Sequence, residues 1–186
     1  PSDETPWLLG DLPDGWEWIA FTFKDQKQLQ LSEVEIKEML ATSDDIAKQA
    51  YARMKMSDQP WMRHTQAEVD FILRECGLES GAHLIDFGCG IGRHDYVLAR
   101  HGIDVIGVDY VAENIRVAID GIKSGSTVRF IEGDCRFIEL GKCDAAICLY
   151  DVIGSYVRLE DNQKILDNIA RHLKRNGIAI ISVMNF

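Results

Sequence analysis

The chain has 186 residues, 46% of them apolar and 27% charged, with a formal net charge of −10 at pH 7. That is enough apolar surface for one packed domain with an appendage, and the acidic balance repels a phosphate backbone, so nucleic acid is not an expected partner. No apolar run reaches the roughly 18 residues of a membrane span and the first residues lack a signal-peptide layout, so no membrane association and a cytoplasmic location are expected.

Residues 1–44 read as an N-terminal appendage. Turn residues (Gly10, Asp11, Pro13, Asp14, Gly15) precede an apolar aromatic run over 16–23, which predicts a strand. Ser32 with Glu35 three residues on predicts a capped helix. This appendage is read either as the tail of a preceding domain or as the cover of a sheet edge. The main domain, 45–186, opens with a helix predicted over 45–54. A second capping box, Thr65 with Glu68, opens another helix whose apolar stripe is Val69, Ile72, Leu73 and Cys76, ended by Gly77.

From there strand and helix alternate. Strands are predicted at 83–87, 104–108, 128–132, 145–150 and 178–183, with helices near 92–101, 111–123 and 161–175. Strands apolar on both faces and separated by helices indicate a parallel sheet covered on both sides, and right-handed crossovers make it a doubly wound α/β layout. The five cysteines (Cys76, Cys89, Cys135, Cys143, Cys148) are odd in number and form no CxxC pair, which suits reduced, buried thiols. No His/Cys/Asp cluster has metal-ligand spacing, so no metal is expected.

The stretch "LIDFGCGIGRHD", 84–95, carries the chemistry. Gly88, Gly90 and Gly92 follow a buried strand and open a helix, so the backbone turns tightly and a ligand can lie against it. The pattern is GxGxG with Arg93 where a dinucleotide fingerprint has its third glycine, and the GK[ST] of a P-loop is missing. Asp86, two residues before the first glycine, would repel a pyrophosphate. It suits a ligand with positive charge, and S-adenosylmethionine carries an ammonium and a sulfonium but no phosphate. Asp109, at the end of the second strand, stands where doubly wound folds bind ribose hydroxyls; capping the next helix is a compatible role. Asp134 and Cys135 follow the third strand, where a carboxylate accepts from an adenine amino group and a backbone N–H meets the ring nitrogen.

These segments together resemble the class I S-adenosylmethionine-dependent methyltransferases, of the small-molecule type. "LIDFGCGIG" is similar to their first motif, "VIGVDY" to the acidic ribose-binding strand end and "FIEGDC" to the adenine-contacting motif. "DAAICLYDVIGSY" and "HLKRNGIAIISV" are similar to their fourth strand and to the following helix-turn-strand. The resemblance covers about residues 60 to 186. It implies a Rossmann-like, mainly parallel sheet with a helical N-terminal lid, and S-adenosylmethionine as cofactor. It places Asp86, Gly88, Cys89 and Gly90 by the methionine part, Asp109 on the ribose and Tyr110 beside the adenine. Asp134 and Cys135 fall on the adenine edge and Leu149 near the sulfonium. "MRHTQAEVDFIL" is similar to the segment before the first strand in N-methyltransferases of the glycine methyltransferase type, which makes Arg63 the candidate for the cofactor carboxylate and Tyr51 and Trp61 lid contacts.

Two departures stand out. Arg175 and Asn176 replace proline and glycine in the turn before the last strand, which the turn should tolerate. The resemblance also implies two more antiparallel strands after the fifth, and the sequence ends at Phe186; the run 16–23, or a partner chain in a homo-oligomer or larger assembly, is the expected cover of that edge. Methyl transfer from a sulfonium is an in-line displacement, so the protein aligns the partners and excludes water. The expected acceptor site is the mouth after the fourth strand. There Asp151 is the candidate to accept a proton or hold a substrate ammonium, and Tyr150 and Tyr156 to orient the substrate or wall the pocket. His94 reads as packing. The leading function is methyl transfer to a nitrogen or oxygen of a small molecule. The alternative is a non-catalytic module that binds the same cofactor within a larger protein; a nicotinamide oxidoreductase is disfavoured by Asp86 and Arg93.

Overall fold

The computed structural model describes residues 55–150, 152–154, 156 and 159–183; the expected strand at 16–23, the capping box at Ser32, the helix at 45–54, Tyr51 and Asp151 lie outside them. Two short 3-10 turns, Met56–Asp58 and Pro60–His64, lead into helix α1 (Thr65–Glu75). The order is then β1 (His83–Phe87), α2 (Arg93–Arg100), β2 (Asp104–Asp109), α3 (Ala112–Asp120), β3 (Val128–Glu132), β4 (Cys143–Cys148), α4 (Leu159–His172) and β5 (Leu173–Ile181). Five parallel strands form one sheet in the order β3-β2-β1-β4-β5. The chain winds from β1 outward to β3, then returns to the other side of β1 for β4. The carboxyl ends of β1 and β4 therefore flank the switch point, where open α/β sheets hold their ligands.

Alternate residues of β1 feed two cores. Leu84 packs with Val69 and Ile72 of α1 and Val97 and Leu98 of α2, whereas Ile85 and Phe87 pack with Ile165, Leu166 and Ile169 of α4. Asp86 shares the face of Leu84, so it points toward α2. Among the described residues no helix is long and apolar enough to cross a membrane.

The structure changes three local expectations. The capping box at Thr65 does not form: Thr65 Oγ1 donates to Met62 O at 2.8 Å, and Glu68 faces inward. The helix end does follow from Gly77, at φ 58: its N–H bonds to Arg74 O and that of Leu78 reaches Leu73 O, a Schellman closure. β4 ends at Cys148, so Leu149 and Tyr150 lie beyond the strand. β5 starts earlier than expected: Asn176 adopts a left-handed φ of 64, and the pairing jumps from Cys143↔Leu173 to Ala145↔Ile178. Asparagine takes this conformation with little strain, which is how the turn tolerates the departure from glycine.

Buried polar groups of α4 fix the loops around the sheet end. Asn168 Nδ2 donates to Cys135 O and Ile138 O, both at 2.9 Å. His172 Nε2 accepts from Leu140 N at 2.8 Å, so its Nδ1 carries the hydrogen donated to Asn168 O. Asn162 Oδ1 accepts from Gly154 N at 2.9 Å. Asn168→Ala orphans two carbonyls at a fully buried site; the expected cost is about 2–4 kcal/mol, read as a lower urea midpoint at an unchanged slope.

Candidate functional site

The loop between β1 and α2 is built on glycine for steric reasons. Gly88 has φ 91, and a Cβ there would meet Val152 Cγ2 at 2.2 Å; Gly92 has φ 76, and its Cβ would meet Phe130 Cζ at 2.3 Å. Gly90, at φ 55, is buried, and a Cβ there would lie in ordinary contact with Met56 Cε at 3.6 Å. Val108 O accepts from both Gly88 N (2.7 Å) and Cys89 N (2.9 Å), which ties the loop to the end of β2. Cys89 is buried in the loop, with its thiol directed at Gly90 O; burial pushes this thiol, and that of Cys135, well up, so both stay protonated.

The three strand-end carboxylates expected from sequence stand together at the carboxyl edge of β1, β2 and β3. Asp109 is buried, and its Oδ2 accepts from Gly90 N at 2.9 Å while Oδ1 accepts from Val111 N at 2.8 Å. One carboxylate thus fixes the loop and opens α3. Asp134 is gripped by Arg136, whose Nε and Nη2 approach its two oxygens at 3.0 and 2.6 Å. Arg136 also reaches Asp161 Oδ2 at 3.3 Å and lies 4.5 Å from the ring centre of Tyr156. Asp86 is buried against Asp95 of α2, and burial raises both carboxyls.

At the mouth, the structure adds a hub at Glu68. Its carboxylate accepts from Arg93 Nη1 at 2.6 Å, from His94 Nε2 at 2.7 Å and from the Tyr150 hydroxyl. Burial alone would raise this carboxyl, but the bonds from His94, Tyr150 and Arg93 outweigh it and bring it to about 2. Burial lowers the His94 imidazole, so the neutral ring donates through Nε2. Burial and the bond to Glu68 raise the Tyr150 phenol, so it stays protonated. Tyr150 has a left-handed φ of 67, with its N–H on Ser182 Oγ at 2.6 Å. Its ring stacks 4.9 Å from the Arg93 guanidinium and 5.9 Å from Trp61. A bulky residue at positive φ is strained and must be held by its surroundings; here the hydroxyl, the ring and the N–H are all engaged.

Arg63 is exposed, and its Nε bonds to neighbouring His64 at 3.1 Å. The guanidinium buried at the mouth is that of Arg93, whose buried Nη2 has no partner among the described residues. Leu149 packs on the core beneath the loop, and Tyr110 is an electrostatic neighbour of Tyr156 beside Asp134. Sequence reading missed Glu68, Arg93 and His94 as a unit. The available signal was an acid on the α1 stripe, one turn before buried Ile72.

Residues 84–177, half of the chain, match the family model described as a methyltransferase domain. The chain is 28% identical over 130 residues to a glycine/sarcosine N-methyltransferase of Halorhodospira halochloris, covering 68% of this chain and 48% of that one. It is 34% identical over 108 residues to a ubiquinone biosynthesis O-methyltransferase of Rickettsia prowazekii, covering 57% and 41%. The chain therefore spans about half the length of the curated relatives it matches. The fold is shared with the N-methyltransferase NodS of Bradyrhizobium japonicum, solved with S-adenosyl-L-homocysteine: TM-score 0.61, 17% identity, 73% of this chain and 70% of that one. Family match, sheet order and glycine loop agree, and the chain belongs to the class I S-adenosylmethionine-dependent methyltransferase family.

Proposed function

We propose that this chain binds S-adenosylmethionine across the carboxyl ends of β1, β2 and β3 and transfers its methyl group to a nitrogen or oxygen of a small-molecule acceptor at the mouth after β4. The observation that carries the reading is the clustering of Asp86, Asp109 and Asp134 about Cys135 at the carboxyl edge of the sheet, beside a glycine loop that Asp109 ties down through Gly90 N. The residues fit the group. Carboxylates accept from ribose hydroxyls and an adenine amino group, and at Asp109 and Asp134 such bonds would compete with the donors these acids already hold. The acidic loop favours a cation, with Gly88, Cys89 and Gly90 along the methionine part. Cys135 and Tyr110 would flank the adenine, Leu149 would lie near the sulfur, and Arg63 or the buried Arg93 would meet the methionine carboxylate. The cofactor, when bound, supplies a methyl group already activated by a sulfonium.

The chain's own task is then alignment and exclusion of water. Tyr150, kept protonated and held to Glu68, forms a rigid wall of the mouth and takes no proton. Tyr156 packs over Arg136 on the adenine side and closes the opposite wall. Asp151 is the candidate to hold a substrate ammonium or accept its proton. An N-methyltransferase and an O-methyltransferase among the relatives support a small acceptor nucleophilic through either atom.

Calorimetric titration with S-adenosylhomocysteine is expected to show micromolar binding, weakened tenfold or more in Asp109→Ala. A folded, monodisperse chain that binds neither the product nor S-adenosylmethionine would overturn the reading, and binding without turnover of any small amine or phenol would favour a non-catalytic module. Glu68→Gln is expected to cost about 1–3 kcal/mol at neutral pH. The depressed carboxyl stabilises the fold above the ordinary glutamate value of 4.5, and this contribution is lost as the pH falls toward about 2. The stability gap between variant and wild type, measured by urea denaturation, should therefore close on acidification.

A further inference from the structure

Asp86 and Asp95 form a pair that the loop reading leaves unexplained. Asp86 lies at the end of β1, on the face toward α2, and Asp95 sits in the first turn of α2; they are 2% and 0% exposed. The two carboxyl groups meet beneath the glycine loop. Among the described residues, neither buried oxygen of Asp95 has a hydrogen-bond donor. Buried carboxylate oxygens without donors are rare and demand an explanation. Two ionised carboxylates in contact and out of water repel strongly, whereas one proton between them turns the contact into an O–H···O⁻ bond and gives Asp95 its missing partner.

Arg93 and Tyr96 face the pair from α2, Asp109 from the end of β2, Cys89 from the loop and Cys135 from the segment after β3. Arg93 is the one cation of this group, and it is already bonded to Glu68, with His94 on the same carboxylate. Asp109 adds a further negative charge.

We propose that Asp86 and Asp95 hold a single proton between their carboxyl groups, and that a cation bound at the glycine loop drives this proton out to solvent. Asp95 is then a positioning residue that sets the charge of Asp86 without touching the ligand. The idea rests on the cofactor reading above and deepens it. S-adenosylmethionine carries one more positive charge than S-adenosylhomocysteine. It should expel more of the proton, and its affinity relative to the product should rise with pH. The pair thereby discriminates charged cofactor from neutral-sulfur product.

The test is calorimetry of the whole chain with each compound, in buffers of differing ionisation enthalpy, from about pH 6 to about pH 8. Wild type should release more protons with S-adenosylmethionine, and the affinity ratio should rise about threefold or more across that range. In Asp95→Asn, whose amide donates to Asp86 but has no proton to lose, both effects should vanish while binding persists. Binding of both compounds with equal proton release by wild type overturns the proposal and leaves the cofactor reading intact. If neither compound binds, the cofactor reading falls, and infrared spectroscopy of the free chain judges the pair by itself. A carboxylic-acid C=O band near neutral pH, lost in Asp95→Asn or Asp86→Asn, supports the shared proton, and no such band overturns it. Folding gives an independent readout. A carboxyl raised by burial makes the folded chain bind more protons than the unfolded one, so its stability falls as pH rises above the ordinary aspartate range. Asp95→Asn should flatten that fall.

Discussion

The carboxylate of Asp109 holds the site together. Its two oxygens accept from Gly90 N and Val111 N, so one side chain at the end of β2 fixes both the loop after β1 and the start of α3. Charge-assisted bonds of this kind are among the stronger hydrogen bonds in proteins. Val108 O adds two more anchors, to Gly88 N and Cys89 N. The loop has no room for side chains at Gly88 and Gly92, so backbone contacts must set its shape. A loop shaped this way is set by the fold itself, and a ligand bound there would meet little ordering cost.

Negative charge is the theme of the site, and each carboxylate is managed differently. Asp109 is neutralised by backbone N–H groups, Asp134 by the fork of Arg136, and Glu68 by Arg93, His94 and Tyr150. Asp86 has no such partner among the described residues and faces Asp95. Donors decide the outcome against burial: those on Glu68 bring its carboxyl down to about 2, whereas burial pushes that of Asp86 well up. The least compensated acids lie directly beneath the loop, where the cationic end of the cofactor is proposed to bind.

The Glu68 hub joins three parts of the chain that come from separate elements: helix α1, the first turn of α2 and the segment after β4. Tyr150 at positive φ is the point where they converge. Such a knot braces this side of the mouth, and it also ties α1 to the start of α2. The acceptor would thus meet a wall whose position depends on Glu68 as much as on the tyrosine itself.

The sequence by itself determined the alternation of strands and helices, the parallel sheet, the glycine loop and the three acids at the strand ends. These features are local: apolar runs define strands, glycine spacing defines the turn, and an acid one or two residues from a strand end stays at that end. Tertiary structure alone decided the partners. Glu68 and Tyr150 lie 82 residues apart and meet only because β4 returns to the centre of the sheet beside β1. Thr65 and Glu68 had the spacing of a capping box, and local propensity gave no means to tell that burial against α2 would turn the acid inward. In the sequence nothing distinguishes Asp95 from an ordinary first-turn acid of a helix. Only the packing of α2 on the β1 face removed it from water and set it against Asp86, because the strand's two-residue period aims Asp86 at that same face.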